Sequence, residues 1–288
     1  MLPNFLIVGA PKAGTTSLHQ YLSQHPEIFM SNPKELNFFS NQEIKEQELY
    51  YDNFRINSLE RYKDIFAGSI GEKAIGEASV SYLFYPKTPK KIKEIIPDAK
   101  IIILLREPIS RAYSHYLMDY RLGYVNLSFD DVVFKRKKDK NIDLFYQQYI
   151  FLGLYYEQVK RYIDIFGKDS VRIYFQDDFK NDPAHILLDV YNFLGVDSGF
   201  CHEIEKEHNV FSMPKNKIIY LLYRSSLRSL IASLLPSNIK EKIIEITFEK
   251  KQKPKMSKQT KKYLYDIYRD DIVNLEKLIG VDLNSWKL

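Results

Sequence analysis

The 288-residue chain has a single cysteine, Cys201, and a single tryptophan, Trp286. One thiol excludes an internal disulfide and any thiolate metal cluster, and it fits a reducing compartment. The six histidines fall at no ligating spacing, so no metal is expected. Long apolar runs are missing too: no stretch approaches the ~18 residues that a membrane span needs. The opening Leu2-Pro3-Asn4-Phe5 has neither the basic region nor the cleavage site of a secretory signal. These absences lead to the expectation of a cytoplasmic protein with no membrane partner. Charge of one sign is also scarce, since 42 basic and 37 acidic residues leave a net +5. On charge alone, nucleotide, acidic glycan and nucleic acid all remain open as partners.

What is present is the composition of a packed globular protein, 45% hydrophobic and 27% charged. With no internal repeat and no low-complexity linker, residues 1–288 are expected to form one domain. Residues 5–8 are a short apolar run closed by Gly9, and a helical pattern with Leu18, Tyr21 and Leu22 on one face follows. The alternation returns as a strand over residues 100–105 and a helix from Pro108 to Tyr120. It returns again as a strand over residues 171–175 and a helix from Asp182-Pro183 to near Gly195. Strands and helices in this order predict a three-layer α/β domain around a parallel sheet of about five strands, related to P-loop nucleotide-binding folds. Residues 41–73 read as helical or irregular insertions, residues 216–235 as a helix packed on the sheet, and residues 258–278 as an amphipathic helix.

Between the first strand and helix lies Gly9-Ala10-Pro11-Lys12-Ala13-Gly14-Thr15-Thr16-Ser17. Amides from Ala13, Gly14, Thr15, Thr16 and Ser17 would converge on one concavity at a helix N-terminus, an anion cradle to which Lys12 adds a full charge. A Walker A loop places its lysine directly after the second glycine, whereas here Thr15 follows Gly14 and the lysine lies inside the loop. That departure argues against a nucleoside triphosphate bridged by magnesium.

The stretch from Pro3 to Leu18 resembles the 5′-phosphosulfate loop of sulfotransferases that use 3′-phosphoadenosine 5′-phosphosulfate (PAPS), in particular the branch with the heparan sulfate N- and O-sulfotransferases. Two further segments resemble the same family in the same order. Pro33-Lys34-Glu35-Leu36-Asn37-Phe38-Phe39 follows first, then Leu104-Leu105-Arg106-Glu107-Pro108-Ile109-Ser110-Arg111-Ala112-Tyr113-Ser114-His115-Tyr116. The resemblance implies that Lys12 and the loop amides hold the phosphosulfate, that Arg106 and Ser114 hold the 3′-phosphate, and that Glu35 is the base that deprotonates the acceptor. Phe38 and Phe39 would shield that base from water. Lys251 and Lys253, inside a lysine-rich run, would lie in a loop over the nucleotide. Read without the resemblance, Arg106 could instead pair with Glu107 or Asp119, Ser114 could bond back to its own helical turn, and Glu35 could be a capping or ion-paired residue. Arg111 and His115 point away from Ser114 and are expected to be structural. One departure stands out: Ala78 in Gly76-Glu77-Ala78-Ser79 occupies a position where some glycan sulfotransferases carry lysine.

The expected reaction is sulfuryl transfer from PAPS to a glycan or small-molecule acceptor, with adenosine 3′,5′-bisphosphate as product and no metal or nucleic-acid partner. A nucleotide kinase or NTPase, and a non-catalytic nucleic-acid-binding protein that uses the lysine run, are the alternatives.

Overall fold

The computed structural model describes residues 1–51, 56–200, 212–214, 248–250 and 255–288. Five parallel strands form the central sheet: β1 (Phe5–Gly9), β2 (Ile28–Met30), β3 (Ala74–Ala78), β4 (Lys100–Leu105) and β5 (Val171–Phe175). Their spatial order is β2-β3-β1-β4-β5. Every residue of β1 and β3 is buried, as expected of strands covered on both faces. A short antiparallel pair, β6 (Ser212–Pro214) and β7 (Phe248–Lys250), lies outside this sheet.

The helices that position the site are α1 (Thr15–Leu22), α2 (Asn41–Glu46), α3 (Leu59–Asp64), α4 (Thr88–Ile95) and α5 (Pro108–Leu122). After them come α6 (Phe129–Val133), α7 (Ile142–Tyr149), α8 (Tyr155–Phe166), α9 (Gln176–Asn181), α10 (Pro183–Leu194) and α11 (Lys258–Ile279). The chain leaves β1 toward β2 on one side and leaves β4 toward β5 on the other, so the sheet's topological switch lies between β1 and β4. Ligands of open α/β sheets bind at such a switch, beyond the carboxyl ends of the strands. The loop after β1 and Arg106 after β4 both stand there.

The strands expected at residues 5–8, 100–105 and 171–175 are present, as are the helices begun by Pro108 and Pro183. Strands β2 and β3 were not anticipated, one having three residues and the other carrying Gly76 and Glu77 in its interior. The C-terminal amphipathic helix buries Leu264, Tyr268, Ile272 and Leu275. Its Asp271 carboxylate accepts from Tyr155 N at 2.7 Å and Tyr156 N at 3.2 Å, and so caps α8. Trp286, expected to anchor the C-terminus, packs on Tyr155 and Phe175. The helix expected over residues 216–235 lies outside the described residues, as do Cys201, Lys251 and Lys253. Among the described residues no helix is long and apolar enough to cross a membrane.

Candidate active site

The loop after β1 is held to its neighbours by backbone hydrogen bonds. Ala10 N donates to Leu104 O at 2.6 Å and Leu83 N to Val8 O at 2.8 Å, tying it to β4 and to the segment after β3. That segment passes so close that a Cβ on Gly9 would stand 2.6 Å from Leu83 Cβ. Gly14 has φ +99°, a conformation that side-chain-bearing residues rarely adopt, and it turns the loop into α1. No side chain caps this helix. The N–H groups of its first turn, at Thr15, Thr16 and Ser17, therefore open toward the loop with the positive end of the helix dipole behind them. Thr15 is buried, Thr16 exposed and Ser17 half-buried.

Lys12 reaches back from this loop, and its Nζ lies 3.4 Å from Met118 Sδ on α5. Burial lowers its pKa to about 8, with Arg121, Arg106 and Lys34 adding to the effect and Asp119 opposing it. Four cations thus act on one small volume. Met118 and Arg121 follow Ser114 at i+4 and i+7, one stripe of α5, so the stripe that touches Lys12 also presents Ser114. The Ser114 hydroxyl is half-buried and bonds to no described residue, rather than back to its own turn.

Arg106 joins the first and third sequence segments. Its Nη1 donates to Lys12 O at 3.1 Å, and its own carbonyl accepts from the Tyr155 hydroxyl at 3.0 Å. Burial lowers its pKa from the usual arginine value. Neither proposed ion-pair partner competes for it. Glu107 spends both oxygens capping α5, on Ile109 N at 2.9 Å and Ser110 N at 2.7 Å. The buried Asp119 accepts from three hydroxyls: Tyr50 and Tyr51 each at 2.7 Å, and Tyr149 at 2.8 Å. Arg111 and His115 extend this buried node as expected of structural residues. Arg111 donates to the carbonyls of Gln148 and Tyr149, and His115 Nε2 pairs with the Tyr51 hydroxyl at 2.8 Å.

Glu35 sits at φ +64°, in the left-handed region, held there by its N–H to Ala78 O at 3.0 Å and by Asn37 Nδ2 on its carbonyl at 2.8 Å. Its Oε2 accepts from Val80 N at 2.9 Å, and its Oε1 is ion-paired to Lys34. The capping and ion-paired arrangement read as an alternative in the sequence is therefore present, at the mouth of the same site. Phe38 and Phe39, expected to shield Glu35, pack with other aromatic rings. Phe38 stacks on Tyr62 at 4.5 Å and Phe39 meets Tyr82 edge-on at 5.5 Å, an aromatic cluster beside a different carboxyl, Glu77.

Sequence reasoning missed the weight of Glu77. It is fully buried on β3, and burial, reinforced by the nearby Glu35 charge, raises its pKa to about 8. The hydroxyls of Tyr62 and Tyr82 stand next to it, yet neither carboxyl oxygen completes a hydrogen bond among the described residues. Among those residues no group of three or more His, Cys, Asp or Glu could hold a metal ion.

The model of the sulfotransferase domain matches residues 2–280. The mouse bifunctional heparan sulfate N-deacetylase/N-sulfotransferase 4 is 26% identical over 99% of this chain, which spans only 31% of that relative's length. The mouse heparan sulfate glucosamine 3-O-sulfotransferase 3B1 is 24% identical over 68% of this chain and 46% of its own. Among solved structures, a sulfotransferase from Alicyclobacillus acidocaldarius is 32% identical, covers 99% of both chains and superposes with a TM-score of 0.73. Mouse sulfotransferase SULT7A1, solved in complex with PAP, shares the fold at 14% identity and a TM-score of 0.51, covering 94% of this chain and 84% of that one. With a domain match over nearly its whole length, the chain belongs to the sulfotransferase domain family.

Proposed function

We propose that this chain, as a single domain, transfers a sulfuryl group from PAPS to a hydroxyl or amine of a glycan or small-molecule acceptor and releases adenosine 3′,5′-bisphosphate. The observation that carries the reading is that Arg106 and the α5 stripe bearing Ser114 both reach Lys12, whose charge is also felt from Lys34, the ion-pair partner of Glu35. A cradle of helix-terminal amides and a desolvated lysine fits a phosphosulfate, whose charge is lower than that of a triphosphate. Arg106, whose guanidinium is already oriented by Lys12 O, and Ser114 would hold the 3′-phosphate. Lys251 and Lys253 belong to the same proposal as further contacts over the nucleotide.

In the transfer, Glu35 takes the acceptor proton as the acceptor atom closes on sulfur, while Lys12 and the amides of residues 13–17 stabilise the charge that grows on the leaving phosphate. The heparan sulfate relatives support a glycan acceptor, and the single cysteine supports a cytoplasmic location. The chemistry assigned to these residues routes no step through a metal. The lysine position inside the loop disfavours the kinase or NTPase alternative.

Labelled PAPS offered with a panel of glycans and small hydroxyl or amine compounds tests the reading, with and without a chelator. Glu35→Gln is the matching variant: it should bind adenosine 3′,5′-bisphosphate like the parent while kcat falls ~10²-fold or more. Magnesium-dependent ATP turnover without PAPS turnover would overturn the assignment.

A further inference from the structure

Glu35 has two carboxylate oxygens and only one of them is available for work. Oε2 is engaged by Val80 N at 2.9 Å, which sets the plane of the carboxylate. Oε1 is covered by the ammonium of Lys34, the preceding residue. The left-handed backbone at Glu35, pinned by Ala78 O and Asn37, turns the two neighbouring side chains toward each other. The Lys34 side chain is only 18% exposed, against 34% for Glu35, so this is not a lysine waving in solvent. It also lies close enough to Lys12 to act on its charge.

Apart from Lys12, the titratable groups that act on the pair among the described residues are not cations. His19 of α1 feels both Lys34 and Glu35, but its Nε2 is bonded to Ser31 O at 3.0 Å and burial favours its neutral form. Glu77, beneath, is a carboxyl, and position 78 is alanine. Adjacent-residue ion pairs contribute little to stability, so the burial of Lys34 within a cluster of like charges is unexplained by folding alone.

We propose that Lys34 is a second ligand for the transferring group: its ammonium covers Glu35 Oε1 until the donor enters, then moves onto the sulfuryl oxygens and uncovers the base. This rests on the functional reading above and adds a residue to it. In the step itself the acceptor oxygen or nitrogen forms its bond to sulfur and the bond from sulfur to the bridging phosphate oxygen breaks. The electron pair stays on the leaving phosphate and the acceptor proton passes to Glu35 Oε1. Lys34 keeps all its protons and neutralises the equatorial sulfuryl oxygens. Lys12, on the other side, faces the leaving oxygen.

Calorimetry with PAPS in the absence of acceptor, and separately with adenosine 3′,5′-bisphosphate, distinguishes a sulfuryl ligand from a general attraction for anions. In Lys34→Met, PAPS affinity is expected to fall ~10-fold or more, bisphosphate affinity to stay within about twofold, and kcat to fall further, while Lys34→Arg keeps most of both. Lys34→Gln serves the same comparison should the methionine variant not fold. Parent-like PAPS affinity and kcat in the methionine or glutamine variant, or equal losses for both nucleotides, would overturn the role. A parent chain that fails to bind PAPS at all overturns the functional reading, and this inference with it.

Discussion

Arg106 Nη1 lies 3.1 Å from the carbonyl oxygen of Lys12, across 94 residues of sequence. The arginine proposed to read the 3′-phosphate therefore also braces the loop proposed to hold the phosphosulfate, so donor selection and donor placement share one side chain. Adenosine 5′-phosphosulfate, which lacks the 3′-phosphate, is expected to bind the parent far more weakly than PAPS. Arg106→Ala should erase most of that difference. Arg106→Lys should restore charge without the two-pronged geometry and recover only part of it. Competition binding with the two donors checks this, and full discrimination in the alanine variant would move the 3′ site elsewhere.

Lys12 gives a pH dependence whose sign can be worked out. Its pKa in the free protein is about 8, and a bound anion raises it. Affinity for PAPS should therefore be flat below pH ~8 and weaken as pH rises above it, approaching tenfold per unit. Lys12→Arg, charged throughout, should lose this alkaline limb. Lys12→Ala should lower turnover ~10²-fold or more at neutral pH. Isothermal titrations between pH 6.5 and 9.5 separate these outcomes.

Glu77 makes a prediction about stability instead. Its pKa in the folded chain is about 8, above the ordinary glutamate value of 4.5, so the folded state holds a proton that the unfolded state releases between those limits. Its contribution is fully present below pH 4.5 and is lost as pH rises toward 8, by up to about 1.4 kcal/mol per pH unit. Glu77→Gln cannot ionise, so its stability relative to the parent should increase steadily from pH 5 to pH 8. Urea melts at three pH values test this; parallel curves would mean that Glu77 is ionised in the fold.

Asp119 is the acceptor for three buried tyrosine hydroxyls. Asp119→Ala leaves Tyr50, Tyr51 and Tyr149 without their shared partner and should cost about 3 kcal/mol or more, whereas Asp119→Asn keeps one oxygen acceptor and should cost less. Denaturation midpoints rank the two, and Tyr149→Phe should cost less in the alanine background than in the parent because that pair is already broken.

Strands with unbroken apolar runs, such as Lys100–Leu105, and helices opened by proline were legible in the sequence because their signals are local. So was the loop, whose glycines, lysine and hydroxyls fall within nine residues. β3 was not, since Gly76 and Glu77 break its pattern. The glycine is demanded by the Phe5 ring on the neighbouring strand, where a Cβ would lie within 2.2 Å. The tyrosine node was equally hidden: Tyr51 and Asp119 stand 68 residues apart and nothing near either announces the other. The cluster of Phe38 and Phe39 with Tyr62 and Tyr82, whose hydroxyls stand next to Glu77, was hidden as well, because its members meet only in three dimensions.

The cap that Asp271 places on α8 has a consequence for how the chain is made. Tyr155, whose N–H it fixes at 2.7 Å, is 116 residues upstream, and the Tyr155 hydroxyl in turn steadies the Arg106 carbonyl. During synthesis the donor loop emerges before its brace, and the residue that locks the brace emerges 116 residues after Tyr155. A growing chain thus carries a formed loop on an unfinished support, and donor capture should switch on late and in one step rather than accumulate with length. A ribosome stalled before Lys258 would display every motif that identifies the family and bind PAPS poorly.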